Sequence, residues 1–320
     1  MKKKHRCLSA GILFADVGCH PIDHLPVPGE LVQTERVELA LGGCASNVSL
    51  NLARLEVPTG LCGCVGDDSF SDYVVRALEH ELIDTAGVRR VSNFGPGCSM
   101  IVNVKGNDRR FISTTGANRE FHIDEIPGSW AEEAEVLYLG GYLMMPHLEE
   151  EATIDFFKRF QMHGGKTILD VVLWGERSYW DVIKPILPYV DYFMPNDFEG
   201  MQISGLSDPL DQAKFFLDGG AKVSIITCGE KGSIYYSERE RFKTGIFPVN
   251  YVGGTGSGDA FGAGFISAVL DGETPLRLMK RASAQGMSCV RDMSATKSVF
   301  TRAEALAFVD ANELEVTELS

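Results

Sequence analysis

Residues 252–265 have the sequence VGGTGSGDAFGAGF, in which glycine, serine and threonine make up almost all of the first seven positions. Small residues let the backbone approach a ligand closely, and several amide groups can then point in one direction. The residues that follow, 260–270, are apolar and small enough to form a buried helix. Because the loop amides would lie at the positive N-terminal end of that helix, the segment predicts an anion-binding site.

This loop differs from the two common nucleotide-binding loops. No Gly-Lys-Ser/Thr follows the glycines at the spacing of a Walker P-loop. The glycines also do not match G-x-G-x-x-G, and the first predicted strand is not followed by that pattern. Asp259 directly follows the loop, at a position where aspartates commonly cap helices. From this segment alone, a tight turn with a capping aspartate is the preferred interpretation.

The rest of the chain alternates between short apolar runs and amphipathic stretches, which is typical of an α/β fold. The first apolar run, residues 8–15, predicts one buried strand. Further strands are predicted near 61–65, 136–139, 167–170, 192–195, 223–227, 233–237 and 242–249, and helices near 148–162, 178–187, 208–218, 259–270, 275–290 and 302–311. Parallel strands joined by helices predict a three-layer α/β/α sandwich with a mostly parallel central sheet. Ligands of such sheets bind beyond the carboxyl ends of the strands.

Two regions depart from this alternation and predict a small separate sheet. Residues 37–41 place large apolar side chains at every second position, as a half-buried strand does. Residues 99–104 and 109–114 flank a turn-rich tetrapeptide, 105–108, and so predict a hairpin. We expect these strands to form a β lid, contributed by about 17–41 and 97–118, within a single domain that spans 1–320.

Composition and charge disfavour several classes of protein. The 320-residue chain has a formal net charge of −14, whereas nucleic-acid binding needs a clustered basic face. No segment approaches the ~20 apolar residues of a membrane span, and the apolar run behind the N-terminal lysines is near the lower limit for a signal peptide. We therefore expect a cytoplasmic protein without a nucleic-acid or membrane partner. The eight cysteines form no CxxC pair and no zinc spacing, so packed thiols are expected.

Other short motifs accompany the glycine-rich segment in a consistent order. The sequence GTGSGDAFGAGF resembles the C-terminal signature of the ribokinase-like (PfkB) carbohydrate kinases, which usually reads D-T-x-G-A-G-D-x-F-x-A-G. The remaining landmarks of that family have these counterparts: Asp16 after the first strand, Gly42-Gly43-x-x-x-Asn47, Val65-Gly66-Asp67-Asp68, Gly116-Ala117-Asn118, Asn196-Asp197-Phe198-Glu199 and Thr227-x-Gly229-x-x-Gly232. Each motif is weak alone, but their ordered occurrence covers nearly the whole chain.

The resemblance implies transfer of a phosphoryl group from ATP to a hydroxyl, with Mg²⁺ as the metal. Such chemistry depends mainly on positioning and on stabilising charge. Asp259 would take the proton of the hydroxyl as general base. The amides of Gly256, Ser257 and Gly258 would hold the charge of the transferring phosphoryl group.

The resemblance also assigns residues to each substrate. Asp16, Gly42, Gly43 and Asn47 would bind the sugar, although a strand-end turn and a helix start are the simpler interpretations of Asp16 and Asn47 taken singly. On the nucleotide side, Asn196 and Glu199 would organise Mg²⁺ through water, and Thr227, Gly229 and Gly232 would line the nucleotide. Asn196 and Glu199 are also spaced for a helix-capping pair, and both roles are compatible.

Two departures from the family pattern bear on ligands. Gly253 stands where many members carry an aspartate that helps bind a monovalent cation, so potassium activation is not expected. Asp170 is not followed by the asparagine and arginine that are often found there. In acid-sugar kinases such an arginine can meet a substrate carboxylate, so a ketodeoxygluconate-type acceptor is less favoured. Arg109 and Arg110 on the predicted hairpin could supply charge, but a solvated hairpin face is the preferred interpretation.

We therefore expect an ATP-dependent kinase that acts on a hydroxyl of a neutral, ribose- or fructose-like sugar. A nucleoside kinase of the same family is the nearest alternative, and a non-catalytic sugar or nucleotide sensor on this fold is a second. A nicotinamide-dependent oxidoreductase has only generic α/β support. Since lid sheets in this family often pair, and an exposed small sheet gains from being covered, a homodimer through the lid is expected.

Overall fold

The computed structural model describes residues 4–106, 110–292 and 294–319, so part of the predicted 105–108 turn and Arg109 lie outside the described residues. The described strands are β1 Cys7–Gly11, β2 Phe14–Cys19, β3 Val37–Gly42, β4 Thr59–Val65, β5 Asp84–Arg90, β6 Gly97–Val102, β7 Arg110–Thr114, β8 Val136–Gly140, β9 Lys166–Leu169, β10 Tyr192–Phe193, β11 Val223–Thr227, β12 Ser233–Ser237, β13 Arg241–Thr244 and β14 Val316–Glu318. The described α-helices are α1 Cys44–Arg54, α2 Ser69–His80, α3 Gly128–Glu133, α4 Glu150–Met162, α5 Tyr179–Ile183, α6 Asp197–Ser204, α7 Pro209–Asp218, α8 Ser257–Leu270, α9 Pro275–Cys289 and α10 Arg302–Ala311.

The large sheet has the strand order β14-β13-β12-β11-β10-β9-β8-β1-β4-β5. Its strands from β11 to β5 in this order run parallel, and β12, β13 and β14 extend one edge in antiparallel fashion. The predicted fold class, a mostly parallel α/β sheet with a small separate sheet, is confirmed. The carboxyl ends of the parallel strands share one edge of the sheet, and the loops that follow β8, β9, β10 and β11 meet there.

The two faces of the large sheet are covered by different helices. Along β8, Leu137 and Leu139 pack into a core with helices α4, α5, α6 and α7, whereas Val136 and Tyr138 pack into a second core with α1, α8, α9 and α10. Alternation along a strand sends successive side chains to opposite faces, so two cores require helices on both sides. These two cores, on either side of one sheet, are the layers of the predicted α/β/α sandwich.

The predicted single strand over residues 8–15 is wrong, because the segment contains two strands in different sheets. Strand β1 belongs to the large sheet and β2 to the small one, with Ile12 and Leu13 between them. The side chain of Asn118 accepts from the amide of Leu13 (2.8 Å) and donates to its carbonyl (2.9 Å), which holds the backbone where the chain changes sheets. Asp16 therefore lies inside β2 rather than after the first strand.

The small sheet, which we call the lid, has the strand order β3-β2-β6-β7 and two different faces. Asp16 is in register with Ser99, and Ser99 with Ser113, so one face carries a polar row across β2, β6 and β7, which Ala40 ends in β3. The next row is apolar: Leu39, Val17, Met100 and Ile112. Met100 and Ile112 are 54% and 67% exposed. Residues 37–41 were expected to be half-buried, but Val37 and Leu39 face solvent on this apolar side.

No α-helix among the described residues is long and apolar enough to cross a membrane. All eight cysteines are free thiols, and Cys7, Cys62, Cys64, Cys228 and Cys289 are buried. The expected free thiols agree with the structure, and packing in the interior holds for those five but only partly for Cys19, Cys44 and Cys98.

Candidate active site

The glycine-rich loop ends at the N-terminus of α8, as predicted. Gly256 precedes the helix with a φ of +76°, and a Cβ atom there would lie 2.3 Å from the Cβ of Ala295. Both the backbone amide and the hydroxyl of Ser257 donate to the carbonyl of Gly254, at 3.3 and 2.9 Å. The amides of Gly256 and Gly258 have no hydrogen-bond partner among the described residues. These two amides are thus free to bind an anion, whereas the amide of Ser257 is already used within the turn.

Asp259 is the third residue of α8, and its carboxylate is held by a residue from another helix. The Nδ2 amide of Asn47, in α1, donates to Oδ2 of Asp259 at 2.8 Å. Burial raises the pKa of Asp259 to about 7, and the negative charge of Asp170 adds to the increase. The hydrogen bonds from Asn47 and Cys44 act in the opposite direction. A carboxyl group with a pKa near neutrality can accept a proton from a substrate at physiological pH.

Asp170 and Cys44 accompany Asp259, and the sequence predicted a site role for neither. Asp170 directly follows β9, and Tyr138 donates its hydroxyl to Oδ2 of Asp170 at 2.6 Å. Burial raises the pKa of Asp170 to about 6 and that of the Cys44 thiol well above its ordinary value. The Cys44 sulfur and one carboxylate oxygen from each aspartate lie within 4.8 Å of one another. Cys44 is therefore a protonated thiol that lies between two carboxyl groups.

Asn196 and Glu199 form a complete capping box at the start of α6. The side chain of Asn196 accepts from the amide of Glu199 at 2.8 Å, and the carboxylate of Glu199 accepts from the amide of Asn196 at 2.9 Å. The capping interpretation is therefore correct, and one oxygen of each side chain has a structural use. Burial raises the pKa of Glu199 to about 8, with a further contribution from the charge of Asp170.

A cavity of about 970 Å³ joins the loop to the strand ends. It is lined by the predicted nucleotide-side and catalytic residues, which are Asn196, Glu199, Thr227, Gly229, Gly232, Gly256, Ser257, Gly258 and Asp259. Cys44, Tyr138 and Asp170 also line it. At the α9 side, the wall consists of Ser283, Gly286, Met287 and Val290.

The predicted sugar-side residues lie outside that cavity, beside the lid. Asp16 lies against Gly42, where an added Cβ atom would be only 2.0 Å from Oδ2 of Asp16. Gly43 adopts a φ of +87°, and a Cβ there would be 2.4 Å from the carbonyl oxygen of Ile12. The contact between Asn47 and Asp259 links this group to the cavity. Asp259 thus lines the cavity with the predicted nucleotide-side residues and also contacts Asn47, one of the predicted sugar-side residues.

Two acceptor atoms on this side lack a hydrogen-bond partner among the described residues. They are Oδ1 of Asp16 and Oδ1 of Asn47, and both are buried. Burial raises the pKa of Asp16 to about 6, although hydrogen bonds from Ser99 oppose the increase. A buried acceptor without a donor is unfavourable, so both atoms are suited to hydroxyl groups supplied by a ligand.

Comparison with known proteins identifies the family. Residues 4–302 match the family model described as pfkB family carbohydrate kinase, which is nearly the whole chain. The chain belongs to the pfkB family. It is therefore a sugar kinase that depends on ATP, as the sequence predicted. The predicted enzyme class, a phosphotransferase with an alcohol acceptor, is confirmed.

Proteins that are similar to this chain are named after different substrates. A ribokinase of Haemophilus influenzae is 26% identical, over 90% of this chain and 94% of its own length. A 5-dehydro-2-deoxygluconokinase of Clostridium perfringens is 25% identical, over 99% of this chain and 96% of its own length. A crystal structure of a putative ribokinase II from E. coli, in complex with ATP and Mg²⁺, superposes with a TM-score of 0.81 at 22% identity, covering 96% of this chain and all of that chain. The last likeness concerns the fold alone.

Proposed function

We propose that this pfkB-family kinase transfers the γ-phosphate of MgATP to a hydroxyl of a small sugar, with Asp259 as general base. The observation that carries the proposal is the position of Asp259. Its carboxylate contacts Asn47 on the lid side and lines the large cavity together with the free amides of Gly256 and Gly258. A base for phosphoryl transfer has to lie within hydrogen-bond distance of the acceptor hydroxyl, at a place where that hydroxyl also faces the transferring phosphoryl group.

The large cavity is suited to ATP. Its volume of about 970 Å³ lies in the range of small-molecule and cofactor sites. The wall formed by Gly286, Met287 and Val290 offers apolar contact to the adenine, and Thr227, Gly229 and Gly232 line the same cavity. The phosphates would then extend to the N-terminus of α8, where unpaired amides and the helix dipole favour negative charge.

Three carboxyl groups at this cavity are suited to a divalent cation. The pKa values of Asp170, Glu199 and Asp259 are all raised, and the negative charge of Asp170 contributes to the increase for both Glu199 and Asp259. A divalent cation held near these carboxyl groups would lower all three pKa values. Asn196 and Glu199 would hold Mg²⁺ through water, because each already gives one oxygen to the capping box. The metal, when bound, neutralises charge on the phosphates.

On the acceptor side, Asp16 and Asn47 would receive sugar hydroxyls at their unpartnered oxygens. The polar face of the lid would cover the sugar and exclude water, which strengthens electrostatic interactions in the site. In the reaction, the acceptor oxygen forms a bond to the γ-phosphorus. The bond between the γ-phosphorus and the bridging oxygen of the β-phosphate breaks, and ADP leaves with that oxygen. Asp259 takes the hydroxyl proton. The amides of Gly256 and Gly258 stabilise the negative charge of the transferring group.

The direct test measures ADP release with MgATP and a panel of sugars and nucleosides. We expect turnover with a sugar and little with any nucleoside; a nucleoside preference would instead support the nucleoside-kinase alternative. Since Gly253 stands at the cation-associated position, replacing K⁺ with Na⁺ in the same assay should leave the rate unchanged. Folded protein that binds ATP but phosphorylates no member of the panel would contradict the proposal.

Gly42→Ala should raise the KM for the sugar strongly and change the KM for ATP little. The added methyl group would overlap Oδ2 of Asp16 at 2.0 Å, so that carboxylate would have to move away from the bound hydroxyl. Gly18→Ala in the same lid is the matched control, because a Cβ there meets its nearest atom, Cβ of Ile101, at 4.0 Å. Equal effects of the two substitutions on the sugar KM would argue against a role for Asp16 in sugar binding.

We also propose that two copies pair through the apolar face of their lids. Leu39, Val17, Met100 and Ile112 form a row across all four strands, and the exposed area of Met100 and Ile112 is large for apolar side chains. Ile112→Glu is expected to convert a dimer into a monomer in sedimentation velocity. Met162→Glu, at an 84% exposed residue in α4, should leave the dimer intact. A wild-type protein that sediments as a monomer at micromolar concentration would contradict this pairing.

A further inference from the structure

Cys44 lines the large cavity beside Asp259, and the proposed phosphoryl transfer needs no thiol at this place. It is the first residue of α1, whereas Asp170 follows β9 and Asp259 lies in the first turn of α8. The sulfur and one carboxylate oxygen from each aspartate lie within 4.8 Å of one another. All three side chains are half-buried and open to the cavity, so an ion could reach them from solvent.

The end of β8 makes room for the thiol. A Cβ atom added to Gly140 would lie 2.8 Å from Cβ of Cys44 and 2.8 Å from the hydroxyl oxygen of Tyr138. Any side chain at position 140 would therefore displace Cys44, Tyr138 or both. The position of the sulfur thus depends on close packing of the strand end against the start of α1.

Both carboxylates are held in place by donors outside the group of three. Asp170 accepts from the hydroxyl of Tyr138 at 2.6 Å and from the amide of Val171 at 2.8 Å, and Asp259 accepts from Asn47 at 2.8 Å. An ionised carboxylate can accept at about four sites, so each keeps lone pairs for a further partner. Carboxylates that bind metal ions are commonly oriented by outer hydrogen bonds of this kind.

The charges of the cavity favour a cation. Five acidic side chains line it, and no lysine, arginine or histidine occurs among the described lining residues. Its negative charge is therefore not balanced by a basic side chain of the lining, and the walls concentrate the resulting field. In addition, the Cys44 thiol has one proton and can donate to only one of its two carboxyl neighbours at a time. A cation bound by the sulfur would contact both.

The ligand atoms select the kind of cation. Mg²⁺ takes oxygen ligands and keeps several waters, whereas thiolates select softer ions such as Zn²⁺. Bonds of 2.0–2.3 Å to a tetrahedral Zn²⁺ separate its ligand atoms by about 3.5 Å, so a shift of roughly 1 Å from the 4.8 Å limit is sufficient.

We propose that Cys44, Asp170 and Asp259 bind Zn²⁺ directly, through one thiolate sulfur and two carboxylate oxygens, and that bound Zn²⁺ inhibits the kinase. On binding, the thiol proton of Cys44 passes to the solvent and the sulfur forms the bond to zinc. The oxygen of Asp259 that binds zinc can no longer take a proton from the acceptor. The inhibition rests on the proposed function, whereas the site itself does not.

The first test measures metal binding to the nucleotide-free protein, with Zn²⁺ in calorimetry and Co²⁺ as a spectroscopic probe. We expect a tight site for one Zn²⁺ per chain and, with Co²⁺, a thiolate-to-cobalt charge-transfer band. Cys44→Ser should abolish the band and lower the Zn²⁺ affinity by ~100-fold or more, since a direct ligand is lost. Cys19→Ser, at a half-buried free thiol in β2, is the matched control and should retain both signals.

Asp170→Asn should also weaken Zn²⁺ binding, and it decides the question if Cys44→Ser does not fold. The second test measures ADP release at excess MgATP, with free Zn²⁺ set by a chelator buffer. The wild type and Cys19→Ser should lose activity as free Zn²⁺ rises and regain it when chelator is added. Cys44→Ser should keep the rate that it has without zinc.

The outcomes separate this inference from the proposed function. A cobalt band that Cys44→Ser abolishes, in a protein that phosphorylates no sugar, supports the site and contradicts the kinase proposal alone. A wild type without the band, or equal Zn²⁺ affinities of wild type, Cys44→Ser and Asp170→Asn, overturns the site and leaves the kinase function intact. Full activity of the wild type with Zn²⁺ bound overturns the inhibition.

Discussion

Asp259→Asn is expected to lower kcat by ~10²–10⁴ while ATP and sugar binding are retained, because general-base catalysis typically contributes a factor of that size. Asparagine keeps the shape of the side chain and can still contact Asn47, but it cannot take a proton from the acceptor hydroxyl. The measurement is steady-state kinetics of ADP release, together with calorimetric titration of ATP into the variant. Unchanged affinity with a much lower kcat is the expected combination.

The control for this substitution is Asp211→Asn. Asp211 is the third residue of α7, as Asp259 is of α8, so both changes remove a carboxylate from the same position in a helix. A general weakening of the helix N-terminus would affect both variants, whereas loss of the base affects only Asp259→Asn. If Asp259→Asn retains activity within a few-fold of the wild type, Asp259 is a capping residue and the proposed mechanism is wrong.

The second large effect concerns pH. With a pKa of about 7 for Asp259, kcat/KM should fall as pH decreases, by up to ~10-fold for each pH unit well below that value, because only the ionised carboxylate can act as base. Asp170→Asn removes a negative charge that raises this pKa. The pKa of Asp259 therefore decreases, and the acidic limb of the profile should move to lower pH. At saturating MgATP the cation would lower the pKa of Asp259 in both proteins. The quantity to compare is therefore the difference in pH between the acidic limbs of the variant and the wild type.

Glu230→Gln supplies the control for the pH experiment. Glu230 lines the same cavity but is not among the charges that raise the pKa of Asp259. Its substitution should leave the acidic limb in place. An acidic limb that does not move in Asp170→Asn would mean that the ionising group in the profile is not Asp259.

Local patterns were sufficient to predict most of the fold and part of the site. Apolar periodicity located α7 and α10 closely, and the glycine-rich segment predicted the N-terminus of α8. The break between β1 and β2 was missed because it depends on Asn118, which lies 105 residues away from Leu13 in the chain. An apolar run of this kind gives no sign that its two halves enter different sheets.

The missed site residues have a similar explanation. Asp170 and Cys44 lie close to Asp259 because β9 ends, and α1 and α8 begin, at the same edge of the sheet, and their separation in sequence conceals this. An aspartate directly after a buried parallel strand was the one signal that could have indicated Asp170. For the lid, periodicity predicted an apolar face correctly but could not reveal that it faces away from the core.

The cluster of carboxyl groups also affects the thermodynamic stability of the protein. In the folded chain the pKa values of Asp16, Asp170, Glu199 and Asp259 are all above their ordinary values of ~4. Between those ordinary values and the folded ones, the native state binds more protons than the unfolded state, so the free energy of unfolding decreases as pH rises. Ligands that neutralise the cluster reverse part of that loss, which couples the folding equilibrium to occupancy of the site. The arrangement that prepares a base for catalysis thus makes the ligand-free protein less stable at neutral pH than its core alone would allow.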